Sequence, residues 1–200
     1  MNDSELQEFI NSQNGTDDDV IETKAMKRAR TFFDFVEIAT FTVLIILLLS
    51  CFLLRHTVVD GGSMDRTLAD GQHLIISDFL YTPKNGDIIV FQPLNAPNSD
   101  PLIKRVIATA GQTFEMNDGT VYINGVAISE PYVFLDGEIS RNYRDYPETL
   151  IPEGYVFVLG DHRNNSKDSR YDEIGLVDVR SILGRVILRI TPLSQFGTVD

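Results

Sequence analysis

"LIKRVIATAGQTFEMNDGTVYING", residues 102–125, decides how the larger part of this chain reads. Its first seven residues after Leu102 are rich in Val, Ile and Thr, which favour a pleated, half-buried surface. "NDGTVYING" (117–125) is a hairpin signal, because Asp118-Gly119 accepts positive φ at the turn. The same grammar continues on both sides. "HTVV" (56–59), "HLIIS" (73–77), "DIIVF" (87–91), "YVFVLG" (155–160) and "ILGRVILRI" (182–190) are short β-like runs. "PKNGD" (83–87), "NAPNSDP" (95–101) and "PEGY" (152–155) separate them with Gly, Pro, Asn and Asp turn chemistry. No long helical period competes beyond residue 56, and no repeat is visible. The fold expected is an all-β, largely antiparallel domain, with long loops at 92–101 and 135–150.

Working toward the N-terminus, the pattern changes to "KAMKRARTFFDFVEIATFTVLIILLLSCFLLRH" (24–56). Residues 38–54 carry no charge, and apolar character reaches back past Glu37 to Phe32. Seventeen residues at about 1.5 Å each span roughly 26 Å, close to the ~30 Å hydrocarbon core. A cleaved signal peptide fits poorly, because the apolar stretch is long and no small-x-small site follows it. A single transmembrane signal anchor over 32–54 is the expectation. Lys24, Lys27, Arg28 and Arg30 precede it, against Arg55 and Arg66 soon after. The positive-inside rule therefore puts residues 1–31, acidic and then basic, in the cytoplasm, and residues 55–200 outside as a β-rich domain.

Charge and cysteine content exclude other classes. The net charge of −12 and the lack of a basic, aromatic-laced patch exclude a nucleic-acid partner. Residues 1–23 hold seven acidic side chains and no Lys or Arg, the composition of a solvated tail. The one cysteine, Cys51, lies in the apolar run, which excludes an intramolecular disulfide framework or a multi-cysteine zinc site. His56, His73 and His162 lack ligand spacing, so neither metal nor cofactor is expected.

Three clusters stand out from the β background: "GGSMDRTL" (61–68), "LIKRVI" (102–107) and "GDHRNNSKDSR" (160–170). In the second, Lys104 and Arg105 point to opposite faces of a strand, and one of them must meet the shielded side. Periodicity leaves open which. Lysine in water holds its proton up to a pKa of about 10.4, whereas burial disfavours the charged form. A shielded, neutral Lys104 could take the proton of Ser63, the Ser-Lys variant of nucleophilic catalysis. Gly61 and Gly62 would let the backbone approach a carbonyl, and the Ser63 N–H could stabilise an oxyanion.

In order, one membrane anchor, "GGSMDRTL", "GDIIVF" (86–91), "IKRVIATAGQ" (103–112) and "GDHRNNSKDSRYDEIG" (160–175) cover most of residues 25–190. In this the chain resembles the bacterial type I signal peptidases of the Ser-Lys kind. The resemblance implies a membrane-anchored serine endopeptidase that removes signal peptides from exported preproteins, through an acyl-enzyme intermediate. It implies Ser63 as nucleophile and Lys104 as general base, with Ser166 orienting the lysine and Asp161, Asp168 and Arg170 bracing the site. The family binds substrate as an extended strand and reads small residues at the third and first positions before the cut. Val59, Met64, Leu68, Leu102 and Ile103 correspond to the shallow apolar pockets. Signal peptides and the lipid bilayer are the implied partners; an oligomeric state is not implied.

Two positions depart from the family pattern. Arg66 replaces the usual proline of the Ser-Met box, and His162 replaces the usual asparagine of "GDNR". Since proline fixes φ, Arg66 is expected to loosen the turn, and Arg66→Pro to raise activity. His162 suggests a Ser-His-Asp reading with Asp161 or Asp168, but no G-x-S-x-G elbow surrounds Ser63 and a lysine stands where the dyad needs one. The same lysine disfavours the histidine-using eukaryotic and archaeal type. A binding domain without catalysis is disfavoured by the intact Ser63, Lys104 and Ser166. The self-cleaving Ser-Lys repressors are disfavoured by the anchor.

Overall fold

A computed structural model of the chain describes residues 4, 5, 7, 8, 24–95, 99–135 and 145–199. The chain separates into two units, Met1–Leu49 and Ser50–Asp200. The first carries most of helix α1, Lys24–Leu53, whose 30 residues extend for about 45 Å. Within it Met26–Leu49 is long and apolar enough to cross a membrane, and none of that stretch is buried in protein. A core helix of a soluble domain would hide one face; this one shows Phe33, Ile38 and Leu47 to its surroundings alike. Thr40 and Thr42 donate their hydroxyls to the carbonyls of Val36 and Ile38 at 2.7 and 2.8 Å, which satisfies them without water.

The second unit is antiparallel β throughout its ladders. Seven strands form the larger sheet: β1 (Arg55–Val58), β2 (His73–Ser77), β3 (Ile88–Phe91), β4 (Leu102–Thr109), β9 (Tyr155–Leu159), β10 (Val177–Asp178) and β11 (Ile182–Arg189). Their spatial order is β1-β2-β11-β3-β4-β9-β10, so the last strand is inserted between β2 and β3. Four strands form the smaller sheet, in the order β7-β6-β5-β8: β5 (Thr113–Asn117), β6 (Thr120–Ile123), β7 (Val126–Ala127) and β8 (Tyr146–Leu150). The β5–β6 turn is the expected one, with Asp118 at φ +43° and Gly119 at +77°.

Strand β8 corrects the expected loop at 135–150. "YPETL" reads as a loop because it holds Pro and Glu, yet it pairs with β5 at the outer edge of the small sheet, where proline is tolerated and little is buried. The rest of that loop falls largely on 136–144, outside the described residues, as do 96–98 of the loop at 92–101.

Three apolar clusters hold these layers. Phe114, Met116, Val121 and Ile123 of the small sheet pack on Ile107, Phe157 and Leu159 of the large one. Phe114 and Phe157 stack with ring centroids 3.8 Å apart. Ile89, Phe91, Val106, Val156 and Val158 form a second cluster. The third matters most for the site: Val59, Met64 and Leu68 pack on Leu74 and Ile76 of β2, Val90 of β3, Ile103 of β4 and Val186 of β11. Full burial of Met64 and Leu68 is worth roughly 1.5–3 kcal/mol each, and it seats the turn between them on the sheet.

Candidate active site

Ser63 lies between that anchor, Met64, and the Gly61–Gly62 pair. The turn closes on itself through Asp65 N–H to the Gly62 carbonyl at 3.2 Å and Leu68 N–H to the Met64 carbonyl at 2.7 Å. Lys104 Nζ, arriving from β4, stands 2.7 Å from Ser63 Oγ and donates to the Ile103 carbonyl at 2.9 Å. Only 3% of Lys104 is exposed. Burial pulls its pKa from 10.5 down to about 8, against the opposing pull of the Asp168 and Asp161 carboxylates. About one-tenth of such a lysine is neutral at pH 7. The arrangement is a hydroxyl with a proton acceptor already in contact.

Both charges of β4 are shielded. Arg105, 2% exposed, forms a bidentate pair with Asp161 at 2.9 and 2.8 Å, and its guanidinium lies 4.0 Å over the Tyr132 ring. The two-residue period predicts one shielded charge; Asp161 and Tyr132, covering the opposite face, shield the second. Asp161 also accepts from the Thr67 hydroxyl at 2.6 Å, so one carboxylate ties the strand of the lysine to the turn of the serine.

The remaining "GDHRNNSKDSR" residues form a buried frame. Asp168 accepts from the Gly160 N–H at 3.0 Å and from Arg170 at 2.8 Å through each oxygen. Arg163, fully buried, donates to the Gly160 carbonyl and pairs with Glu130 at 3.0 and 2.6 Å. Sequence reasoning missed Arg163 and Glu130; charged residues amid a turn look solvated until their partners are known. Gly160 is crowded: a Cβ there would come within 2.6 Å of the Ser63 carbonyl oxygen and would collide with the Ser166 side chain. Ser166 is buried at this contact, but its Oγ has no hydrogen-bond partner among the described residues, Lys104 included.

Beside Ser63 and Lys104 is a cleft of about 290 Å³. Val59, Met64, Leu102 and Ile103 line it, with Gly61 to Ser63 and Lys104. Leu68 does not; it is fully buried in the core beneath the turn, which corrects its assignment to the pocket. Asp60, Asn165 and Lys167 add a polar rim that the apolar pattern could not signal. A larger depression of about 710 Å³, between Asp78–Pro83 and Glu153–Val156, contains none of these residues.

Arg66 and His162 lie on one structure. Arg66 has φ +71°, a value closed to proline, whose ring holds φ near −65°. The structure therefore reverses the expectation for Arg66→Pro. The Arg66 guanidinium lies 4.1 Å over the Phe134 ring, and the Phe134 ring packs on His162 at 4.6 Å. His162 Nδ1 faces the Gly62 carbonyl at 3.0 Å and Asp65 Oδ2 at 3.2 Å. His56 and His73 bond each other at 2.7 Å across β1 and β2.

A serine in contact with a buried lysine, in a cleft on an antiparallel β scaffold that follows a helix long and apolar enough to cross a membrane, fits the class of serine peptidases. Residues 32–191 match the family described as signal peptidase, peptidase S26, and the chain belongs to that family. Its activity is that of a signal peptidase, a hydrolase that removes signal peptides. Signal peptidase I of Bacillus licheniformis is 31% identical over 187 residues, covering 90% of this chain and 99% of the relative. A probable signal peptidase I-1 of Synechocystis sp. is 37% identical over 160 residues, 76% of this chain and 78% of that one. The crystal structure of a signal peptidase I from Enterococcus faecalis V583 is 36% identical, with a TM-score of 0.43 over 52% of this chain and 97% of the other.

Proposed function

We propose that Ser63 is the nucleophile and Lys104 the general base of this peptidase. The 2.7 Å contact between a serine and a buried lysine carries the assignment. Lys104, in its neutral form, takes the Ser63 proton as Oγ attacks the scissile carbonyl, then gives it to the leaving amine. A water activated by Lys104 next attacks the acyl-enzyme and restores Ser63. The Ser63 N–H, without a partner among the described residues, donates to the oxyanion. Ser166 fills the space beside Gly160 that keeps the lysine and serine segments in register, and Asp161, Asp168 and Arg170 brace them.

Substrate is the extended end of a signal peptide on an exported preprotein, laid along the cleft with its small residues against Val59, Met64, Leu102 and Ile103. Residues 32–54 anchor the enzyme, residues 1–31 are cytoplasmic and residues 55–200 work outside, the orientation that the flanking Lys and Arg favour. Anchoring on the membrane that holds the substrate raises their effective concentration.

Cleavage of a preprotein by the full chain in detergent tests the dyad. Ser63→Ala and Lys104→Ala should both abolish it, while His162→Ala retains part. Activity surviving in Lys104→Ala removes Lys104 from the mechanism. Protease added outside intact cells tests the orientation: it should degrade residues 55–200, and their protection would invert the topology.

A further inference from the structure

We propose that His162 positions the oxyanion donor of Ser63, held to that task by a clamp made of Phe134 and Arg66. This rests on the reading of Ser63 as nucleophile. The two acceptors at Nδ1, the Gly62 carbonyl and the Asp65 carboxylate, assign its proton to that nitrogen. The backbone N–H of His162 donates in turn to the Ser63 carbonyl at 3.1 Å. One residue thus holds two successive carbonyls of the nucleophile turn.

The peptide bond between Gly62 and Ser63 is planar and trans, so its C=O and N–H point in opposite directions. Fixing the Gly62 carbonyl on His162 fixes the Ser63 N–H on the other side, where no group among the described residues engages it. Gly62 itself admits the arrangement, because a Cβ there would lie 2.6 Å from Asp65 Oδ2. The ring cannot swing away: Phe134 covers it, and Arg66 covers Phe134 from the turn that the histidine holds. Backbone pairing locks the aromatic residue in place, with Phe134 N–H on the Asp161 carbonyl at 2.8 Å and Arg163 N–H on the Phe134 carbonyl at 3.1 Å. The positive φ of Arg66 turns its side chain toward that ring, so the two unusual residues of the chain act as one unit.

The side chain of asparagine carries an N–H donor at the same δ position as His Nδ1; glutamine carries it one methylene further out. The full chain in detergent is assayed for kcat and KM on a preprotein peptide as wild type, Ser63→Ala, His162→Asn, His162→Gln and His162→Leu. Removal of a whole oxyanion donor costs about 10²–10³ in kcat, so misdirecting one should cost about 10–100-fold. His162→Gln and His162→Leu should lose that much kcat with KM within about 2-fold, and His162→Asn should stay within about 3-fold of wild type. Arg66→Ala should lower kcat in the wild type and have little further effect in His162→Leu. Equal activity of the Asn and Gln variants, or a loss confined to KM, overturns the proposal. Should His162→Leu not fold, the Asn and Gln pair decides alone. Inactive Ser63→Ala beside active wild type upholds the nucleophile independently of that result.

Discussion

Lys104 is a charge kept in a place that does not favour charge. Its folded pKa, about 8, lies below the unfolded value, so the unfolded chain binds more protons between about pH 8 and 10.5 and stability rises with pH across that window. At pH 7 the buried charge costs the fold about 3 kcal/mol. Lys104→Met, nearly isosteric and uncharged, should raise the unfolding midpoint at pH 7 while abolishing cleavage. The benefit should vanish above about pH 10.5, where both states carry a neutral amine. Activity has the complementary profile: kcat/KM should climb with pH through about 8 and then level off, a titration of the general base. Two backbone positions are as demanding. Arg66→Pro should lower activity, since its φ of +71° is closed to proline, and circular dichroism should show the sheet intact. Gly160→Ala should cut kcat at least tenfold, because the added Cβ would displace both the Ser166 side chain and the Ser63 carbonyl. Ser63 and Lys104 were legible because each is an oddity where it stands, a serine behind two glycines and a cation in an apolar strand. The Phe134 clamp was not, because Phe134 is an ordinary aromatic until the chain brings it between residues 66 and 162.

Strand β4 shows how one element serves two ends. Its Lys104 faces the cleft, while Arg105 is sealed against Asp161 and Tyr132. Removing one partner of a buried ion pair strands the other, so Arg105→Met should destabilise the protein by about 3–5 kcal/mol, read from urea unfolding. It should also reduce activity, because Asp161 would no longer hold Thr67 and the nucleophile turn in one place. Most of the strands of the large sheet could be read from their Val, Ile and aromatic runs, since they are buried on one or both faces. The small sheet was half visible. β6 and its turn carry a strong hairpin signal, but β8 exposes most of its residues and holds a proline, so neither composition nor alternation marks it. Edge strands hide in this way whenever their partner, here β5, supplies the burial.

At the scale of the whole molecule, the order of strands in space differs from their order in the chain at one decisive point. β11 lies between β2 and β3, joining the β1–β2 pair to the rest of the sheet through its ladders to both. No local pattern announces this, because short β runs do not state which neighbours they will choose. A chain ending at Ser181 would lose that junction, and with it Val186 beneath the nucleophile turn. It should fail to hydrolyse substrate and should be degraded rapidly in cells, even though Ser63, Lys104 and Ser166 are all present.

The insertion of β11 also sets a time of onset. Ser63 lies far upstream of β11 in the chain, yet the surface on which Met64 and Leu68 rest includes Val186 of that strand. The turn that carries the serine is therefore expected to settle on the sheet only once β11 has paired. Cleavage is thus expected to appear late in folding, after β11 has joined the sheet, rather than piecemeal as the earlier strands pair.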